Sequence, residues 1–198
     1  YITQNMQKII LKGIKTMFSA KLISSLLTLT LLLSACSDSE DANSLLSTNE
    51  YILTSLDKQE YIVTKTASGF DVKQAKDKVI ILNIFATWCP PCKAEASHLT
   101  SLQKKYKDDL LILGISVEDD IADAKLVQFA KDYNAKYALV NSPENSRIIN
   151  AVATELKIGR NFGIPLMAMY KNGKLVNYYQ GATEEEFIES DIKKALGH

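Results

Sequence analysis

Apolar residues follow three patterns along this chain, and each predicts a different element. Residues 79–86 (VIILNIFA) and 110–117 (LLILGISV) are continuous apolar runs of strand length. Such runs predict strands buried on both faces. Elsewhere, apolar positions recur at three- and four-residue steps, the period of a helix with one buried side. Residues 22–33 (LISSLLTLTLLL) form a leucine-rich apolar run, free of charge, that follows Lys21. That run is shorter than the roughly 20 residues of a membrane-spanning helix.

The helical period predicts 90–106, with Ala94, Leu99, Leu102 and Tyr106 on the apolar side. It also predicts 121–133, with Ile121, Val127, Ala130 and Tyr133 inward. A short strand is expected at 138–141. Ser142-Pro143-Glu144 opens a further helix carrying Ile148, Ile149, Val152, Ala153 and Leu156, with the proline where its missing N–H costs little. Residues 51–54 and 60–66 are β-rich and separated by polar residues, which predicts a hairpin. Residues 166–170 and 175–180 flank Asn172-Gly173, a strong hairpin signal. Thr183, with Glu186 in the capping-box position, starts a last helix that turns Phe187, Ile188, Ile192, Ala195 and Leu196 inward. The order is ββ-β-α-β-α-β-α-ββ-α, an α/β class without internal repeats.

The run 22–33, with a lysine before it and small residues after it, reads as a secretory signal. Met6 and Met17 are candidate starts, and Met17 gives the more compact signal. Leu33-Ser34-Ala35-Cys36 resembles the lipobox of bacterial lipoproteins. The resemblance implies cleavage before Cys36, lipidation of Cys36, and anchoring in a membrane of the cell envelope; the simpler alternative is a plain secretory signal. Residues 36–50 are polar and acidic, too poor in apolar residues to pack, and read as a tether. The expected organisation is a signal at 1–35, a lipidated tether at 36–50 and a folded domain at 51–198.

Charge adds one exclusion. The 23 basic and 23 acidic residues balance, so nothing suggests the basic face that nucleic-acid binding needs. The first 35 residues hold four lysines and no acid. Removing those four leaves 19 basic against 23 acidic residues in the remainder.

The chemistry concentrates in Trp88-Cys89-Pro90-Pro91-Cys92-Lys93. Two cysteines at this spacing fit half of a zinc site, a structural disulfide or a redox pair. A buried strand runs into Cys89 and a helix begins at the prolines, so Cys89 falls at a helix N-terminus. Unpaired N–H groups and the helix dipole favour an anion there, and the thiolate is the form that attacks disulfides. Cys92 lies one turn inward, where it can reach back to close a bridge. On this reading the Cys89 sulfur is exposed and the Cys92 sulfur shielded. Pro90 and Pro91 remove two backbone donors near Cys89 and partly offset the helix effect.

C-x-x-C after a strand in a βαβ pattern resembles the thioredoxin superfamily. The extra helix and strand near 121–141, together with the N-terminal hairpin, are similar to the TlpA/ResA-like thiol-disulfide oxidoreductases. The resemblance covers roughly 51–198. It implies a central mixed sheet flanked by helices, with Cys89 as nucleophile and Cys92 as resolving cysteine. Gly163-Ile164-Pro165 matches the cis-proline loop, so Pro165 is expected to be cis and Ile164 to pair with substrate backbone. Trp88, Pro90 and Pro91 complete the expected substrate rest. Asn83 stands where many thioredoxins carry a buried aspartate. Glu95, three residues past Cys92, matches the subgroup's glutamate and is the expected proton relay; on its own, it reads equally as a solvated helix residue. Lys93, His98 and Lys104 are expected at the surface.

The resemblance further implies protein substrates with disulfides or thiols and a membrane thiol-electron donor of the DsbD/CcdA type. It places the domain in the periplasm or at the cell exterior. It implies no cofactor beyond the Cys89–Cys92 disulfide and no metal. Only His98 and His198 remain as further zinc ligands, and neither has ligand spacing. A copper chaperone of the Sco type needs a wider cysteine spacing and a distal histidine. A peroxiredoxin needs a threonine where Ala86 stands. A C-x-x-C bridge closes too small a loop to be mainly structural. A reductase of selected disulfides, for example in apocytochromes c, is the favoured reading, and a disulfide-forming oxidant or isomerase is the alternative.

Overall fold

Among the described residues the strand and helix signals resolve into two sheets, four α-helices and one short 3-10 turn at Lys73–Ala75. The computed structural model describes residues 49–198. The apolar run 22–33, the lipobox with Cys36 and nearly all of the tether therefore lie outside the described residues. β1 (Glu50–Thr54), β2 (Glu60–Lys65) and β3 (Phe70–Val72) form an antiparallel sheet in that order. The expected hairpin thus gains a third strand, which at three residues is too short to show alternation in sequence.

The second sheet has the order β6-β5-β4-β7-β8. β4 (Val79–Phe85), β5 (Leu110–Ser116) and β6 (Ala138–Val140) run parallel. β7 (Leu166–Lys171) pairs antiparallel with β4, and β8 (Lys174–Gln180) with β7. The β7–β8 turn has left-handed backbone at Asn172 (φ 49°) and Gly173 (φ 71°), as a two-residue primed turn requires. The helices are α1 (Pro90–Lys105), α2 (Asp123–Asp132), α3 (Asn145–Glu155) and α4 (Glu185–Leu196). This is a mixed α/β, thioredoxin-like fold.

All seven residues of β4 are buried, as a central strand covered on both faces must be. Its side chains alternate between two cores. Val79, Ile81 and Phe85 pack with Leu99 and Leu102 of α1, Leu126 and Phe129 of α2, and Ile188 and Ile192 of α4. Ile80, Leu82 and Ile84 pack with Tyr51, Val63 and Phe70 of the small sheet and Ile148 and Val152 of α3. Asn83 shares the parity of Ile81 and Phe85, so it lies on the α1 face of the sheet.

Several helix faces differ from the sequence expectation. In α1 the buried stripe runs through Cys92, Glu95, Ala96, Leu99 and Leu102, and Ala94 is exposed. Ala94 lies two residues from Cys92, a step that points away from the stripe. In α2 the buried residues are Leu126 and Phe129, whereas Val127 is 54% exposed. Ile121 is buried in the loop ahead of that helix. In α4 Ile188 and Ile192 are buried and Phe187 is 65% exposed. The expected capping box is not formed: Glu184 is the N-cap without a side-chain cap, and Thr183 Oγ1 instead donates to the Gly181 carbonyl at 3.4 Å. Pro143 sits in a turn two residues ahead of α3.

Candidate active site

β4 delivers the chain directly to the cysteines. The Cys89 N–H donates to the Ala86 carbonyl at 3.2 Å, and Cys89 is the N-cap of α1. Pro90 and Pro91 occupy the first helical positions. Neither has an N–H, so Cys92 provides the first-turn donor to the Cys89 sulfur, at 3.3 Å. The Lys93 N–H donates to the Cys89 carbonyl at 3.1 Å. Cys89 and Cys92 are joined by a disulfide, with Cα atoms 5.3 Å apart. When that bond opens, a negative charge on Cys89 faces the positive end of a 16-residue helix.

The expected difference in exposure is not present in this state. Cys89 is 2% and Cys92 3% exposed. The Ile164 carbonyl lies 3.7 Å from the Cys89 sulfur, and the Cys92 N–H in the first turn of α1 lies 3.3 Å from it. The residue that stands open is Trp88, at 62%. The Ile164–Pro165 peptide is cis. Pro165 is buried and Ile164 half-buried. The Pro165 carbonyl accepts the Gly181 N–H at 2.8 Å, which ties the proline loop to the segment leading into α4.

Glu95 lies one turn beyond Cys92 and is 3% exposed. Neither carboxyl oxygen finds a hydrogen-bond partner among the described residues. Burial, the larger influence, pushes this carboxyl up to about 7 against a lowering from the Thr183 backbone. A carboxyl poised there exchanges protons near neutral pH. Asn83, also 3% exposed, has an unpartnered Oδ1 and carries no charge to compete with Glu95. Lys93 is half-buried, its ammonium 5.3 Å from the centre of the Tyr133 ring. His98 is half-buried and Lys104 exposed. Among the described residues no group of three or more His, Cys, Asp or Glu is arranged to hold a metal ion.

Sequence reading missed Glu118. Its carboxylate accepts the Thr87 N–H at 2.6 Å and the Thr87 hydroxyl at 3.0 Å. The Ser116 hydroxyl, at 3.4 Å, and the Lys125 ammonium, at 3.6 Å, hold the same carboxylate. Glu118 thus fixes the residue before Trp88. The signal was present in the register: Phe85 pairs with Ser116, so residues just past the end of β5 lie beside the Thr87–Trp88 loop.

The sequence profile of the Redoxin family matches residues 55–196. The chain belongs to the Redoxin family. Within it the chain is a TlpA/ResA-like member of the thioredoxin superfamily. The thiol-disulfide oxidoreductase ResA of Bacillus thuringiensis subsp. konkukian is 28% identical over 128 residues, covering 63% of this chain and 67% of the relative. ResA of Bacillus anthracis is 27% identical over 152 residues, covering 70% and 81%. A thiol:disulfide interchange protein of Chlorobium tepidum has a similar solved structure, with TM-score 0.59 and 23% identity over 75% of this chain and 94% of that one. This Redoxin-family chain is a thiol-disulfide oxidoreductase.

Proposed function

We propose that this protein is a lipid-anchored oxidoreductase outside the cytoplasm that reduces selected protein disulfides. The observation that carries the reading is a C-x-x-C disulfide across the N-terminus of α1, with the buried Glu95 carboxyl one turn behind it. In the dithiol form the Cys89 thiolate attacks one sulfur of a substrate disulfide. The substrate's other sulfur leaves as a thiolate and takes a proton from solvent. Glu95 accepts the Cys92 proton, and the Cys92 thiolate attacks Cys89 in the mixed disulfide. The second substrate sulfur leaves with a proton returned from Glu95. The substrate gains two electrons, the protein loses two, and the chain ends in the disulfide state described above.

Trp88, Pro90 and Pro91 flank Cys89 along the chain, and the Ile164 carbonyl, just ahead of the cis bond to Pro165, lies 3.7 Å from its sulfur, which supports their reading as the substrate rest. The two sulfurs carry the electrons, so the cycle needs no further cofactor. A membrane thiol donor of the DsbD/CcdA type would restore the dithiol. The reductive direction rests on the likeness to ResA, and apocytochromes c before haem attachment are one substrate class that likeness suggests. Anchoring rests on the lipobox ending at Cys36. Among the described residues no helix is long and apolar enough to cross a membrane.

The reduction potential of a form beginning after Cys36 tests the direction. A value below about −240 mV supports a reductase fed by a dedicated donor, and one above about −150 mV makes the protein an oxidant of its partners. Radiolabelled palmitate incorporation into the full chain, compared with Cys36→Ala, tests the anchor; equal labelling of both removes it.

A further inference from the structure

The parallel strands β4, β5 and β6 end at Phe85, Ser116 and Val140. Ligands of open α/β sheets bind in the crevice beyond such carboxyl ends. There the loop after β5 and the loop before α3 line a cavity of about 650 Å³, large enough for a long side chain. Glu118 forms one wall and also holds Thr87, so the cavity lies beside the loop that carries Trp88 and Cys89. Asp119, Asp120 and Asn145 line it as well, and among the described residues no basic one does.

Asn145, the first residue of α3, is 8% exposed. Its Nδ2 donates to the Ser116 carbonyl at 3.3 Å and to the Val140 carbonyl at 3.4 Å, at the ends of β5 and β6. These bonds aim the nitrogen at the sheet and leave Oδ1, on the other side of the amide, to the cavity that the residue lines. Among the described residues nothing donates to that oxygen. A buried acceptor without a donor is unfavourable, so the site calls for a donor from outside. The neighbouring acids set the charge of that donor. Glu118 is matched by the Lys125 ammonium at 3.6 Å, and Asp119 takes the Ser146 hydroxyl at 2.7 Å. Asp120 is exposed and, among the described residues, meets neither a donor nor a cation. Among the described residues these acids are not grouped to hold a metal ion, and the donor they fit is a cationic side chain.

We propose that this cavity receives a basic side chain, arginine above all, from the protein whose disulfide meets Cys89. A guanidinium carries enough donors, in a fixed fork, to serve Asn145 Oδ1 and the Asp119 and Asp120 carboxylates together. The inference deepens the proposed function and rests on its reading of protein disulfides as the substrate. It adds a second point of recognition, set at a fixed distance from the reacting sulfur.

The test gives the reduced protein a series of extended peptides. Each holds one cysteine as a mixed disulfide with mercaptoethanol and one arginine at a different spacing from it, and a matched series carries glutamine instead. Mass spectrometry follows the second-order rate constant of peptide reduction. At a particular spacing arginine should raise that constant about tenfold over glutamine, the size of one hydrogen bond to a charged group. Asp120→Asn and Asn145→Ala should each cut the preference to about two- to threefold. Asp120 makes no bond within the fold, so its variant tests the site even where Asn145→Ala does not fold. A preference that is the same at every spacing is long-range charge steering and overturns the inference. An undiminished preference in folded Asp120→Asn, or equal rates for the two series, overturns it as well and leaves the proposed function standing. Peptides left unreduced in both series overturn the substrate reading and this inference with it.

Discussion

The Glu118 carboxylate grips Thr87 twice, at the backbone N–H (2.6 Å) and at the hydroxyl (3.0 Å), one residue before Trp88 and two before Cys89. Two parallel strands ending at the same level bring these residues together. Glu118→Ala leaves the Thr87 N–H without its acceptor and should destabilise the protein by about 1–3 kcal/mol. It should also broaden the indole signal of Trp88 in the oxidised protein. Urea denaturation and NMR linewidths check both. Wild-type values in both would mean that the loop holds its shape without this contact.

Cys89→Ser should abolish disulfide exchange while leaving the fold intact. Serine is a good N-cap, so α1 keeps its first-turn acceptor. Loss of so short a bridge costs little. Cys92→Ser should retain the first attack and accumulate a mixed disulfide, visible by mass spectrometry as the protein plus the substrate thiol. Exchange surviving in Cys89→Ser would reverse the assignment of the two sulfurs.

Glu95 makes stability depend on pH with a definite sign. Its folded carboxyl is raised to about 7, so between the unfolded value of 4.5 and about 7 the folded state holds the extra proton. Stability is therefore highest below that window and falls as pH rises through it, by up to roughly 3 kcal/mol. Glu95→Gln should remove this slope and leave the oxidised protein more stable than wild type at pH 8. Its rate of exchange should fall, with an altered pH profile. Denaturation midpoints and exchange rates across pH 4–9 check these outcomes, and parallel stability curves for the two proteins would contradict the buried charge.

Gly114→Ala drives a methyl group into the Tyr137 and Leu139 side chains. Overpacking of this kind costs about 1–3 kcal/mol. The same change made at Gly159, where an added Cβ meets nothing within 4 Å but φ is +73°, should show only the backbone cost of about 1 kcal/mol. Thermal unfolding of the two variants separates crowding from backbone strain.

Much of this architecture was legible in order along the chain. Continuous apolar runs marked β4 and β5, because a strand covered on both faces has no polar side to show. Asn172-Gly173 marked the β7–β8 turn, because few residue pairs tolerate two left-handed positions in succession. Cys89 at a helix start followed from a buried strand meeting two prolines. The faces of α1, α2 and α4 were read less well. Ala94, Val127 and Phe187 are apolar enough to be buried, yet each is exposed, since rotation about a helix axis is decided by what the helix packs on. Cys89 was expected to be open and is covered, because the Ile164 carbonyl comes from a loop 75 residues away.

The sequence by itself determined which groups this protein can use: a paired thiol at a helix terminus, a proline before a strand, and a carboxyl one turn beyond the second cysteine. Local spacing and backbone chemistry carry that information. Only the tertiary structure decided the environment of each group. Glu95 is a solvated acid or a buried one depending on how α1 packs on the rest of the fold, and burial, not sequence position, raises its carboxyl toward neutrality. Glu118 reached Thr87, and Tyr137 entered the space above Gly114, because strand register brings distant residues level with one another.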